Sequence, residues 1–563
     1  MRKHYLNAIL LACIAIVLFW QVSAMQHVLR WDAVNCFLTW RHNVSEMIRS
    51  QHLPLWSPWQ HLGFPLHADP ETGAWYPIIW IISAFRSYDF YALSFEWILH
   101  IFIGGYGMYR LITGRGIRTS IALIAAVSFM GCGVFVSNAQ NFIYLIGLAW
   151  FPWVSHYLTM LWRYGSGKYL AWTAICSAMM LTGSYPGISI IGFYCMAAAA
   201  AFYFFNHGLI RKKAELKSWL LSNVLAGALI FLLTAPHLLS VGEYIPHVTR
   251  TEGLSRERLM ENPFPPKAWV SLLTPYSVGT DHYTDHSTGE ETRFQWGSDF
   301  SMLNMYGGLL MAALLLAWLM SKGKTRTEWF LFGGFVVLMM LAMGDVFPLR
   351  WWSRNLPGLD MFRHPSIFRF HALFVWIVLG AFTMERWLQQ TSKVHLRTAS
   401  LVVISGILLL LLTHLPDSVN NTWQRVLKDI TEYPEVSGVS VSERIFTHAW
   451  IQLVLLSLIM LAVRKSKTSW LVPLVALDMF IAVQLNIHAT VVYPMKTSNA
   501  QREMVSAVQG RKPYAGENLI GFHSDSCDLR ISGLVCNHHI ILQQPAWDGY
   551  NSFILAGYRN LEH

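Results

Sequence analysis

Lys168 to Asn206 reads KYLAWTAICSAMMLTGSYPGISIIGFYCMAAAAAFYFFN, 39 residues that carry a single charge at the first position. About 20 apolar residues in a helix cross the roughly 30 Å of bilayer hydrocarbon. The stretch is therefore long enough for two crossings. Ser184-Tyr185-Pro186-Gly187 at its centre is a turn-forming cluster and divides them. Working outward, the same kind of run recurs along the chain. Thirteen spans are expected near 6–25, 91–112, 119–137, 142–162, 168–185, 187–206, 219–241, 302–321, 328–345, 368–387, 398–415, 446–463 and 470–489. The 563 residues are 54% hydrophobic and 13% charged, against about 25% charged in an ordinary soluble protein. The fold class is an all-α polytopic membrane protein. A β-barrel is excluded, because its strands would alternate apolar and polar residues.

Lysine and arginine set the expected orientation. Arg2 and Lys3 precede the first run. Later basic loops hold Arg110, Arg115 and Arg118; Arg163 and Lys168; Arg211, Lys212, Lys213 and Lys217. Lys322, Lys324 and Arg326; Arg386, Lys393 and Arg397; and Arg464, Lys465 and Lys467 complete the series. Every second loop is basic, which places the N-terminus in the cytoplasm and the C-terminal segment outside. The net charge of +10 is this topology signal and not a nucleic-acid surface. Val22-Ser23-Ala24 has the small-residue character of a signal-peptide cleavage site; the first run is read as an uncleaved span.

This topology gives outer loops near 26–90, 242–301, 346–367 and 416–445 on a 1–489 membrane domain, followed by an outer segment 490–563. The first loop opens with Val34, Phe37, Leu38, Val44, Met47 and Ile48 at helical spacing, with Arg41, Glu46 and Arg49 between them. Such a helix is expected to lie in the membrane interface. Ile78–Phe85 is apolar but too short to span and is expected to be re-entrant or interfacial. The C-terminal segment has short β-like runs, Leu519–Phe522 and His539–Leu542, and ends Asn560-Leu561-Glu562-His563, as an incomplete domain or a cloning remnant would. Cys527 and Cys536 flank a Ser-Gly turn and form a candidate disulfide in an oxidising outer compartment. Cys13, Cys132, Cys176 and Cys195 lie in or beside apolar runs and read as packing residues.

Chemistry concentrates in Arg30–Tyr76. Asp32 lies a few residues beyond the first run, where partial desolvation would raise its basicity; an aspartate there also suits a helix N-cap. Asp69 and Glu71 could orient a hydroxyl or hold a divalent metal through oxygen, or form a solvated Asp-Pro turn. Trp31, Trp40, Trp56, Trp59 and Trp75 could stack on sugars, with Trp56 and Trp75 the candidates, or anchor the interface. Asp281, His282, Asp285, His286, Glu290 and Glu291 offer transition-metal ligand types without a fixed spacing. Arg350, Arg354, Arg363 and Arg369 gather on the side that should be poor in positive charge. Arginine matches phosphate oxygens bidentately. Pairing with Asp345 and Asp360, or with lipid headgroups, is the competing reading.

Asp32, Leu53-Pro54-Leu55-Trp56-Ser57 and Leu62-Gly63-Phe64-Pro65 resemble the YfhO family of bacterial membrane proteins. Met361–Phe370 and Trp547-Asp548-Gly549-Tyr550-Asn551-Ser552 resemble later motifs of the same family. His364 departs from that pattern, which has a small apolar residue between Arg and Pro. The resemblance implies a fold similar to the GT-C glycosyltransferases, a polyprenyl-phosphate sugar donor, and a cell-envelope glycan or polymer acceptor at a bacterial cytoplasmic membrane. It makes Asp32 a candidate base and Arg363 and Arg369 candidates for the donor phosphate. A flippase of lipid-linked glycans would need ionisable residues along its spans, where Glu96 and Asp478 are the main ones. A non-catalytic envelope scaffold is the third expectation.

Overall fold

The computed structural model describes residues 2–250, 253–275, 294–295, 297–389, 394–432, 438–465, 468–511, 537–546, 549 and 551–557. Each of the thirteen apolar runs holds a helix. Among the described residues, seven helical spans are long and apolar enough, by length and composition, to cross a membrane. Local chemistry sets many of their ends. Pro186 occupies the first turn of Pro186–Asn206, where its missing N–H costs nothing. Asp89 accepts from the Ala92 amide at 2.9 Å. Thr325 with Glu328, and Ser440 with Glu443, form capping boxes. Gly165, at φ +59°, ends Phe142–Tyr164 in the left-handed conformation that glycine adopts without strain.

The helices sort by burial. The spans Thr119–Ser137 and Pro365–Gln389 are each 89% buried and make the centre of the bundle. Lys213–His247 is only 17% buried and Pro186–Asn206 22%. Leu220, Val224, Phe231 and Leu232 are exposed on the former. An apolar helix so uncovered by protein is matched to lipid.

Two runs depart from an unbroken helix. The expected span at 302–321 is helical only over Leu309–Met320. Residues 303–308 are non-helical and buried. Backbone away from water must find partners, and here they come from distant side chains. Asp478 accepts from the Leu309 amide (2.9 Å) and the Tyr306 hydroxyl (2.6 Å). Ser271 Oγ accepts from the Met305 amide at 3.0 Å, and the Gly133 amide donates to Tyr306 O at 2.7 Å. The same docking interrupts 119–137 between Thr119–Met130 and Gly133–Ser137. A Cβ on Gly133 would lie 2.1 Å from Asn304 Oδ1. The other main acid within a span, Glu96, pairs with Arg41 at 3.2 Å, both side chains fully buried.

That pair corrects the expectation for the first loop. Ala33–Leu38 is π-helical and Thr39–Arg49 α-helical, but Trp40, Arg41, His42 and Asn43 are all buried. The Pro77–Phe85 helix packs against it. The segment is packed into protein because Glu96 and the Tyr88 carbonyl supply partners for Arg41 and His42. His538–Leu542, expected to be β-like, is a short helix packed on Thr39–Arg49; Leu519–Phe522 lies outside the described residues. Segment 490–511 is tied to the membrane part. Its strand Val492–Lys496 pairs antiparallel with His27–Leu29, Leu29 opposite Val492.

Candidate active site

Pairing with Val492–Lys496 fixes the chain just before Asp32. The Arg30 amide donates to Val491 O at 3.1 Å, and the Arg30 guanidinium bonds the His488 carbonyl and lies 4.5 Å over the Trp31 ring. Trp31 is left-handed, at φ +48°, a conformation that costs energy for a bulky side chain. Asp32 follows, half-buried, and opens the π-helix without capping it through its side chain. π-helical turns of this kind are frequent at functional sites.

Asp69 and Glu71 are buried, 2% and 5% exposed, so the solvated-turn reading does not hold. Asp69 accepts from the Glu71 amide at 2.7 Å and from Asn551 Nδ2 at 3.2 Å. Glu71 Oε2 accepts from the Ser552 amide at 3.2 Å. The C-terminal segment therefore lies directly over the acids. It is held there by the Thr249 amide on Ile554 O (2.9 Å), by the Tyr244 hydroxyl on Phe553 O, and by the Ala546 amide on Trp59 O (2.9 Å). Burial and the neighbouring Glu71 push the Asp69 carboxyl up to about 8. Burial also raises Glu71, against the pull of Arg250.

Near these acids stand Arg250 and Arg363, with Arg258 and His364 in the same cavity lining. Arg250 lies 5.1 Å over Phe553, and its buried Nη1 has no hydrogen-bond partner among the described residues. A buried N–H left unmade is costly, so this donor is suited to an anionic ligand. Arg258 and Arg363 share Glu261, each at 3.6 Å. His364 is left-handed, at φ +63°. Asn262 Oδ1 accepts from the Asp299 amide (2.9 Å), which turns Asn262 Nδ2 toward His364 Nδ1 at 2.9 Å. Nδ1 must therefore accept, and the ring is neutral with its proton on Nε2. Burial with Arg363 and Arg250 nearby, which lowers His364 to about 3, agrees.

Asp32, Glu71, Arg250, Arg258, Arg363 and His364 line one cavity of about 1200 Å³, together with Asp299 and Ser552. Its aromatic wall is Trp31, Phe37, Trp40, Tyr144, Phe300 and Tyr493.

Other sequence candidates lie elsewhere. Arg369 is fully buried and donates to Asn304 O (3.2 Å), Ser301 O (2.6 Å) and Ser366 Oγ (2.8 Å); it serves the non-helical backbone at 303–308 and leaves no donor aimed at the cavity. Arg350 is likewise spent on Leu359 O (3.0 Å), Phe362 O (2.8 Å) and Ser353 Oγ (3.2 Å). Arg354 stacks 3.5 Å over Trp351, and Asp345 pairs with Arg256 at 2.9 Å. Trp56 packs on Gly63, where a Cβ would come within 2.4 Å of its ring. Trp75 Nε1 donates to His67 O at 2.9 Å. Neither tryptophan lines the cavity; Trp31 and Trp40 do. Cys527, Cys536 and the 281–291 acidic and histidine loop lie outside the described residues. Among the described residues no three His, Cys, Asp or Glu side chains gather as a metal site.

Arg250 and Arg258 were missed from sequence. Their signal was the one used for the later arginines: basic residues in a loop assigned to the outer face.

No protein-family model matches the chain, and no curated protein matches it. Solved structures do. The chain aligns with ArnT from Cupriavidus metallidurans in the apo state at 11% identity and TM-score 0.53, covering 98% of this chain and 87% of that one. ArnT bound to undecaprenyl phosphate aligns at 12% and 0.48, over 96% and 85%. Arabinosyltransferase EmbB from Mycobacterium smegmatis aligns at 12% and 0.42, over 92% and 44%. The likeness to apo ArnT is one of fold: this chain is an all-α polytopic membrane protein of GT-C-like architecture.

Proposed function

We propose that the chain is an integral-membrane glycosyltransferase that moves a sugar from a polyprenyl-phosphate donor to an extracytoplasmic cell-envelope acceptor. The observation that carries this reading is the single cavity lined by the acids Asp32 and Glu71 together with Arg250, Arg258 and Arg363. The lipid-linked donor is what the YfhO-like motifs imply, and the GT-C-like fold supports the same kind of reaction. The orientation read from the basic loops places the cavity on the outer face of a bacterial cytoplasmic membrane.

In the proposed reaction the acceptor hydroxyl attacks the anomeric carbon. Its proton passes to Asp32, and the bond between the anomeric carbon and phosphate oxygen breaks with its electron pair left on the phosphate. Arg250 and Arg363 stabilise that developing charge, with Arg258 beside them, where low dielectric makes fixed cations effective. His364, neutral and hydrogen-bonded to the Glu261 backbone, lines the phosphate side without adding charge. Glu71, which lines the cavity, orients the acceptor; Asp69 does not line it and holds the loop through the Glu71 amide and Asn551.

The test is transfer of labelled sugar from a polyprenyl-phosphate donor in membranes carrying Asp32→Asn. Wild-type rates in a properly inserted variant would remove the base from the mechanism.

A further inference from the structure

A second cavity, of about 580 Å³, lies between the Phe142–Tyr164, Pro186–Asn206, Arg326–Ala342 and Phe368–Gln389 helices. Phe151, Ile191, Phe202, Phe330 and Phe374 make its walls. Along Phe368–Gln389 its lining runs from Phe368 to Phe382, about 21 Å at 1.5 Å per residue. It is a slot along the helices, long relative to the roughly 30 Å of hydrocarbon. Its ends differ. The end near Phe368 is lined by Ser353, Leu356 and Leu359, and the arginine behind it, Arg350, is spent on Ser353 Oγ and Leu359 O. The opposite end holds Arg115, Arg163, Asn206 and His207.

That end is remote from the polar cavity. Asn141 and Tyr144, at the start of Phe142–Tyr164, line the polar cavity, whereas Arg163 stands at the other end of that helix. Some basic residues of the same face are paired: Arg118 with Glu385 (3.3 Å), Arg386 with Glu328 (2.8 Å) and Lys212 with Glu215 (3.1 Å). Among the described residues no carboxylate pairs with Arg115 or Arg163, and Arg163 lies only over the Tyr164 ring at 5.3 Å. Two cations left unpaired at the mouth of an apolar slot complement a molecule with one anionic end and one hydrocarbon end.

We infer that this slot is a binding site for an anionic glycerophospholipid of the leaflet opposite the candidate active site, with an acyl chain between the helices and its phosphate on Arg115 and Arg163. Basic pockets between helices on the positively charged side of a membrane protein suit such headgroups. The donor proposed above belongs to the other end of the molecule, so this site is distinct from it and does not depend on it.

The test is native mass spectrometry on the full chain, stripped of lipid in neutral detergent. The probes are dioleoyl-phosphatidylglycerol, dioleoyl-phosphatidylcholine, inorganic phosphate and a polyprenyl phosphate. Phosphatidylglycerol is expected to bind at least tenfold more tightly than phosphatidylcholine, with inorganic phosphate not retained. Arg115→Gln with Arg163→Gln should lose at least tenfold, and the Lys pair should restore binding. Gly334 lines the slot and a Cβ there meets nothing within 4 Å, so Gly334→Trp should exclude the lipid while the thermal midpoint of the lipid-free protein holds. Equal binding of both phospholipids, full binding by the Gln pair or by Gly334→Trp, or displacement of phosphatidylglycerol by the polyprenyl phosphate would overturn the inference.

Discussion

Asp32 and Arg363 stand far apart in the chain and face the same cavity, and residue chemistry separates what each can do. Asp32→Asn keeps the size and polarity of the side chain and removes the base. Sugar transfer is expected to fall by about 100-fold or more, in line with the usual contribution of a general base, with membrane insertion unchanged. Arg250→Gln removes a donor whose Nη1 lacks a partner among the described residues. Transfer should fall while thermal stability changes little, since the unmade hydrogen bond goes together with the contacts to Tyr185 and Glu71. Arg369→Gln should behave in the opposite way. It strands carbonyls at about 1–3 kcal/mol each, so the thermal midpoint in detergent should drop before any effect on donor affinity is read. Asp69 gives a pH signature. Its carboxyl is held at about 8 against an ordinary 3.8, so the folded protein binds the extra proton within that window. Stability is complete at the acid end and falls as pH rises through it; Asp69→Asn should flatten that fall in thermal melts taken from pH 4 to 9. Charge type and an anomalous position in a loop made Asp32, Glu71 and Arg363 legible from sequence. Residue type alone did not separate Arg363 from Arg350 and Arg369. The difference lies in which carbonyls surround each guanidinium, and those come from segments far off in the chain.

At the scale of elements, apolar runs and turn clusters mark the helices well. Ser184-Tyr185-Pro186-Gly187 divides Gly167–Gly183 from Pro186–Asn206 where expected. The interruption at 303–308 was hidden because its reasons are remote. Asp478 receives the Leu309 amide, and Gly133 gives room to Asn304. Gly133→Ala is therefore expected to cost about 1–3 kcal/mol, the usual range for overpacking a filled core. A lowered thermal midpoint for Gly133→Ala, beside an unchanged one for Gly334→Ala, where a Cβ is free of neighbours, would check it. The first-loop helix was misread for a related reason. Its polar residues have the spacing of an interfacial face, but Glu96 comes from another helix to meet Arg41.

For the whole molecule, hydropathy gives the all-α polytopic architecture, and the fold shared with apo ArnT agrees with it. The assembly of the cavity wall was not legible. Strand pairing brings Val492–Lys496 to His27–Leu29, and Asn551 and Ser552 arrive over Asp69 and Glu71. Those are contacts between the opening and closing parts of the chain, which periodicity does not encode. Replacing residues 551–554 by a Gly-Ser linker of equal length should leave insertion and helix content intact and abolish transfer, as read by circular dichroism and the labelled-sugar assay.

The tail that lies on Asp69 and Glu71 also sets an order of events. Ribosomes make it after the helices up to Thr468–Thr490 have left the exit tunnel. A nascent polypeptide, already threaded through the bilayer, still lacks the segment that covers those two acids. On the proposed function, such a precursor can meet lipids without acting on them, and competence begins when residues 551–554 have docked.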